Sequence, residues 1–285
     1  MDEGTKFVIG WRANMNMQTQ TVGTMLRDWR RRRHLSQLDL ACEADISSRH
    51  LSFLETGRSQ PSREMVLHLA ERLDVPLRER NTMLLAAGYA PVYGERPLDD
   101  PTLQAARRVV DLVLAGHEPF PAIAVDRHWT LVASNRAVSP LLAGIELSLL
   151  EPPVNVLRLG LHPRGLAPRI ANLDQWRSHL LARLRRQIEV SADPVLAELL
   201  NELSSYPMPH RERPHTPDAI DFAGVAVPFQ LAAEVGILSF LSTTTVFGTP
   251  VDITLSELAL ETFFPADSIT LDALTRNLSK EIINR

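Results

Sequence analysis

Apolar residues recur at helical spacing in five short runs near the front of the chain. In the first, over 22–33, Met25, Leu26 and Trp29 fall on one face. The second opens at Ser36, an N-cap with Asp39 three residues on, a variant of the capping box, and ends near Ala44. The third covers 48–56 behind Ser47 as N-cap, with Gly57 where a left-handed terminating residue belongs. The fourth follows Pro61 and Ser62 and runs to about Leu73, sending Val66, Leu67, Leu69, Ala70 and Leu73 to a core. The fifth follows Pro76 and stops before Gly88.

The pattern then changes. Residues 91–101 hold three prolines, a glycine and a charge cluster, and read as a linker. A helix is expected over 102–115. Two strands, 122–126 and 130–134, follow, joined by a tight turn from Asp126 to Trp129. Helical segments at 135–142, 171–190 and 194–203 are separated by proline-rich turns, and 207–218 is a polar loop. Strands are expected at 222–231 and 236–246. The stretch 253–264 is open between strand and helix by period alone, and 270–283 is a terminal helix. Two strands, a helical middle and two or three strands fit an antiparallel sheet whose helices pack on one face and enclose an apolar space. The expected partition is a flexible, dispensable arm (1–20), an all-α five-helix domain (21–90), the linker (91–101) and a sheet domain with its terminal helix (102–285), an α+β chain in total.

Composition narrows the function classes. The net charge of -4 hides an asymmetry. Residues 21–90 carry eleven Lys/Arg against nine Asp/Glu, and residues 91–285 seventeen against twenty-three. A slightly basic front and an acidic back point to different partners. The single cysteine, Cys42, excludes an intrachain disulfide and suits a reducing compartment; it is expected as a small buried side chain. No signal peptide and no transmembrane run are visible, so no membrane partner is expected.

The segment 35–61 carries specific chemistry. Two helices crossing steeply need small or aliphatic residues at the crossing, and Leu40, Ala41, Ile46, Leu51 and Leu54 supply them. The turn between them wants a residue that tolerates positive φ, and Asp45 stands there. A helix entering the major groove presents short or polar side chains from its N-terminal end, as Ser47, Ser48, Arg49 and Ser52 do. With S-Q at 36–37, L-A at 40–41, L-S-x-L-E-x-G at 51–57 and P-S at 61–62, residues 22–85 resemble the XRE (Cro/repressor-type) helix-turn-helix family. The resemblance implies a double-stranded DNA operator as partner. It implies that Gln37 bonds a phosphate or base, that Ser47, Ser48, Arg49, Ser52 and Phe53 face the groove, and that Arg58 touches a phosphate. It also implies a structural ion pair between Arg30 and Glu55. Arg49 can offer two parallel donors to guanine, and Phe53 can cover a thymine methyl group. The rest of the run Arg30–Arg33 reads on charge alone as a solvated face.

The back of the chain lacks the nucleophile-elbow, zincin, P-loop and dinucleotide-binding motifs, so no catalytic residue is assigned and no enzyme is expected. His210 and His215 share one loop without cysteine ligands and beside Arg211 and Arg213; no metal site is assigned. Glu257 and Glu261, four apart, would share a face on a helix or a strand, and neither geometry makes acid–base chemistry without an opposing partner. Four stretches, 121–135, 155–165, 224–229 and 240–267, resemble the MmyB-like, PAS-like ligand-binding domain that follows XRE-type domains in bacterial regulators. Here Ser134 stands where that family often has tryptophan. The resemblance implies a small apolar effector, fatty acids being one class, held by Trp129, Trp176, Phe229 and Phe240 with Asn135 as polar contact. The bland alternative makes these aromatics ordinary core and Asn135 the cap of the next helix. No obligate cofactor is implied.

The expected protein is a ligand-responsive transcriptional regulator, homodimeric on a two-part site and cytoplasmic, on the nucleoid when bound to DNA. The rivals are a constitutive DNA-binding protein whose back domain only dimerises or recruits a partner, and an enzyme–regulator fusion.

Overall fold

A computed structural model describes residues 20–208, 226–248 and 252–283. The chain forms two compact units, Met1–Val92 and Tyr93–Arg285. Residues 1–19 of the expected arm (1–20) and the histidine pair at 210 and 215 lie outside the described residues.

Unit 1 is five helices: α1 (Val22–Arg32), α2 (Gln37–Glu43), α3 (Ser48–Glu55), α4 (Arg63–Arg72) and α5 (Leu77–Ala86). Side-chain oxygens of Thr21, Ser36, Ser47 and Ser62 cap the first four, satisfying backbone donors that a short helix otherwise leaves to water. Ser36 and Asp39 form a complete reciprocal capping box. The α2–α3 turn passes through Asp45 at φ 51°, and α3 stops at Gly57, φ 71°, where Arg58 N–H returns to the Phe53 carbonyl at 2.9 Å. Met25, Leu26, Trp29, Leu40, Ala41, Leu51, Leu54, Val66 and Leu69 are buried in one core. Gly23 sets the closeness of α1 to α3: a Cβ there would lie 2.3 Å from the Leu54 carbonyl oxygen. Cys42 is exposed, correcting its expected burial. In α2 the inward positions are taken by Leu40 and Ala41, which puts position 42 on the outer side of the turn.

Unit 2 is built on an antiparallel sheet of β1 (Ala122–Val125), β2 (Leu131–Ser134), β3 (Phe229–Ala233), β4 (Gly236–Val246) and β5 (Ala259–Pro265), ordered β2-β1-β5-β4-β3. Its helices are α6 (Gln104–Gly116), α7 (Val156–Leu161), α8 (Leu173–Ser191), α9 (Pro194–Ser205), α10 (Ile253–Ser256) and α11 (Ser268–Ile283). Helices α7, α8 and α9 close over one sheet face around Leu157, Trp176, Leu184, Leu199, Leu231 and Phe240. Alternation along β1 and β5 sends Ala122, Ala124 and Leu260 to the other face, where Val110 and Leu114 of α6 meet them.

Three local expectations change. Residues 136–142 wind as a 3-10 helix, with Pro140 inside and unable to donate an α-helical bond. The ambiguous stretch 253–264 is both elements in turn: Asp252 caps the short α10 through Thr254 N–H, and the ladder of β5 starts at Ala259. The strand expected over 222–231 is paired only from Phe229, directly after Pro228; positions 222–225 lie outside the described residues. Helix α7 was hidden among prolines, and Asn155 starts it by accepting from Leu157 and Arg158 N–H.

Candidate functional sites

The outer face of α3 follows from its inner one. Leu51, Leu54 and Glu55 are buried, which leaves Ser48, Arg49, Ser52 and Phe53 on the opposite side of the helix. Ser47, Ser48 and Arg49 are exposed; Ser52 and Phe53 are half-buried. The Ser47 hydroxyl oxygen accepts from His50 N–H at 3.1 Å, so its side chain is already engaged as the cap. Arg49 and Arg58 stand over the Phe53 ring, their guanidinium carbons 5.3 and 5.9 Å from its centroid. Phe53 thus props two exposed cations beside the start and end of the helix.

Gln37 is brought to the same region by a different route. Its amide nitrogen donates to Glu55 at 2.8 Å, leaving the amide oxygen as its acceptor. Glu55 is the hub. Arg30 grips it with two bonds, 2.6 and 2.9 Å, and a third donor of Arg30 reaches the Leu35 carbonyl at 2.8 Å. Burial pushes the Glu55 carboxyl up, but the bonds from Arg30 and Gln37 outweigh it and hold the group below the usual carboxylate range. The run Arg30–Arg33 is therefore not a uniform solvated face. Arg30 is in the core, and Arg33 donates to the Leu73 and Asp74 carbonyls; Arg31 and Arg32 are exposed.

Unit 2 holds a cavity of ≈ 130 Å³ between the sheet and its helices. One water needs only ~10–15 Å³ on that measure. Trp129, Trp176, Phe229 and Phe240 all line it, with Ile123, Leu131, Leu141, Val156, Leu180 and Phe263 between them. The ring centroids of Trp176 and Phe229 lie 5.1 Å apart, and those of Phe229 and Phe240 6.1 Å. Trp129 enters from the β1–β2 turn with a left-handed backbone, φ 66°, a conformation costing about 1–3 kcal/mol for such a residue. Asp126 holds that turn by accepting from His128 and Thr130 N–H at 2.8 Å, and the indole N–H donates to Gln187 at 2.8 Å.

Asn135 does not line this wall. Its amide is spent on backbone: the oxygen accepts from Ala122 N–H, and the nitrogen donates to the Leu114 and Phe120 carbonyls. It ties the end of α6 to β1, and its side chain does not cap the helix that follows. Glu257 and Glu261 likewise part company. Glu257 follows α10 and lies 3.6 Å from Arg127, whereas Glu261 sits on β5 paired with Arg183.

Of the cavity's polar residues, Glu261 was noted from the sequence only as one of two carboxylates four apart, and Arg183 and Ser242 were not singled out. A signal existed in α8: Trp176, Leu180, Arg183 and Gln187 form one stripe, and a cation on an inward stripe needs a buried partner. Gly160 also lines the cavity, from α7, and a Cβ there would meet nothing within 4 Å. Gly160→Ala should therefore stabilise unit 2 by about 0.5–1 kcal/mol, by restricting the unfolded chain and favouring helix. A fall in melting temperature would show that the space above Gly160 is filled.

Among the described residues no cluster of three or more His, Cys, Asp and Glu is placed to hold a metal, and no helix is long and apolar enough to cross a membrane. Residues 106–276, more than half of the chain, match the family model described as MmyB-like transcription regulator ligand binding domain. Residues 26–80 match a helix-turn-helix model. Comparison with curated proteins gives no match.

Proposed function

The chain belongs to the MmyB-like transcription regulators, DNA-binding proteins with a ligand-binding domain, and from that premise we propose how each unit serves the task. Unit 1 docks α3 in the major groove as one half of a homodimer, because a single short helix reads few base pairs. Arg49 reads a base edge, Gln37 and Arg58 fix the backbone register, and Ser48, Ser52 and Phe53 fill the groove around them. Unit 2 takes a small apolar ligand with a fatty-acid-like hydrocarbon chain. The observation that carries this reading is the cavity itself, walled by aliphatic and aromatic side chains with a few polar groups gathered together. The ligand acts by binding more tightly to one of two states that differ in operator affinity.

Arg49→Ala should weaken specific operator binding by about 1–3 kcal/mol and relax base preference at the position it reads. The check is competition between operator and scrambled duplex at fixed salt. Full affinity with unchanged preference would remove Arg49 from the groove. For unit 2, native mass spectrometry of the purified full chain should show a co-purified apolar small molecule or, after its extraction, a melting shift on adding medium-chain probes. Absence of both would leave the rival reading, a constitutive DNA-binding protein.

A further inference from the structure

We propose that residues 94–98 form a releasable strap. Docked on α10 and β5, it leaves one residue between the anchors of the two units; filling of the cavity frees it and lengthens the joint. The release step rests on reading the cavity as the ligand site.

The chain between α5 and α6 is tied down on both sides of Tyr93. In unit 1, Val92 N–H donates to the Asn81 side chain at 3.0 Å. In unit 2, the Gly94 carbonyl accepts from Ile253 N–H at 2.8 Å, and Gly94 forms a parallel bridge with Asp252. Thr254 donates its hydroxyl to the Arg96 carbonyl at 2.5 Å. Leu98 is buried in one core with Val110, Leu114, Leu258 and Leu260. Two chain steps separate Val92 from Gly94, about 7 Å at full stretch, and seven separate it from Asp99, about 25 Å, so undocking roughly triples the reach of the joint. A longer joint loosens how a homodimer sets its two α3 helices on half-sites ~34 Å apart.

The docking is poised for release. An isolated bridge, not a ladder, joins Gly94 to Asp252. The strap also covers a polar group that nothing satisfies. Asp252 is buried; one carboxylate oxygen caps α10 by accepting from Thr254 N–H at 2.9 Å, and the other has no hydrogen-bond partner among the described residues. Gly94 lies against that second oxygen: a Cβ there would stand 3.2 Å from it. A buried acceptor without a donor counts against the docked state, and release returns it to water.

Strand β5 faces the strap on one side and the cavity on the other. Leu260, with Leu258 just before the strand, shares the core that holds Leu98, whereas Glu261 and Phe263 line the cavity. A ligand that displaces β5 disturbs the bed of Leu98 and so favours the released state.

The test is hydrogen exchange of the full chain, freed of co-purified molecules and read at the Ile253 amide, with decanoate and octan-1-ol as probes. A probe that raises the melting temperature should speed this exchange at least about tenfold while the β4–β5 ladder amides stay protected. A melting shift with unchanged exchange overturns the strap and leaves the cavity a ligand site. No melting shift with either probe overturns both. Leu98→Ser combined with Thr254→Val should exchange fast at Ile253 without a probe, keep its melting shift and show no further rise on adding one. Slow exchange in that variant would show that these contacts hold no strap. Should the variant not fold, the wild-type comparison still decides.

Discussion

Glu55→Ala should cost unit 1 about 3–5 kcal/mol, because it leaves the Arg30 guanidinium in the core without its partner. The two side chains are 10% and 1% exposed, so water cannot take over the lost bonds. The damage reaches further than one pair. Glu55 also anchors the Gln37 amide, so α1, the start of α2 and the end of α3 all lose a common attachment. Hydrogen exchange of the full chain, read by mass spectrometry at the α1 and α3 amides, is the suitable measurement, since it separates unit 1 from unit 2. Protection falling by less than about 1 kcal/mol would show that the pair does not hold the unit together. Arg30→Met combined with Glu55→Leu should recover most of the loss, since apolar groups of similar volume often replace a buried pair without penalty.

Gly160→Phe should abolish the response of unit 2 to its ligand while leaving it folded. The open space above Gly160 would be taken up by the phenyl ring, which offers the apolar contacts that the ligand would otherwise supply. A ligand that binds only the folded state raises its stability by about 2.7 kcal/mol at one hundred times its dissociation constant, and all of that should vanish. The readout is the melting shift with saturating octan-1-ol, wild type against variant, alongside the far-ultraviolet spectrum of each. An undiminished shift in a folded variant would place the ligand elsewhere. The DNA-binding helices of unit 1 should keep their exchange protection throughout.

What could be read from the sequence follows from how local the determining interactions are. The helix-turn-helix was legible because its signals lie within a few residues of each other: Ser36 with Asp39, Ser47 before α3, Asp45 and Gly57 at left-handed positions. The Arg30–Glu55 pair was implied by the family motif, but the third member, Gln37, was not, since nothing in the spacing shows that its amide turns inward. Gly23 escaped notice because its constraint comes from a carbonyl thirty-one residues away. In unit 2 four of the five aromatics of the cavity announce themselves by type; the fifth, Phe263, lay in the stretch whose period was ambiguous. Asn135 was misleading for the same reason: a polar side chain amid apolar strands suggests a ligand contact, and only the fold shows three backbone groups waiting for it. The pairing of Arg183 with Glu261 spans seventy-eight residues and joins a helix to a strand. No periodicity carries such information.

The cavity wall is assembled from pieces far apart in the chain: the β1–β2 turn, the 3-10 helix 136–142, α7, α8 and all five strands. Each contributes one to three side chains from a backbone held in place by its own ladder or cap. Sensor specificity is therefore an evolvable trait that can drift by single exchanges, none of which need disturb the others. The residues proposed to read the operator lie in α3 and beside it, on another unit with a core of its own. Lineages of this regulator can retune what they hear without relearning where they bind.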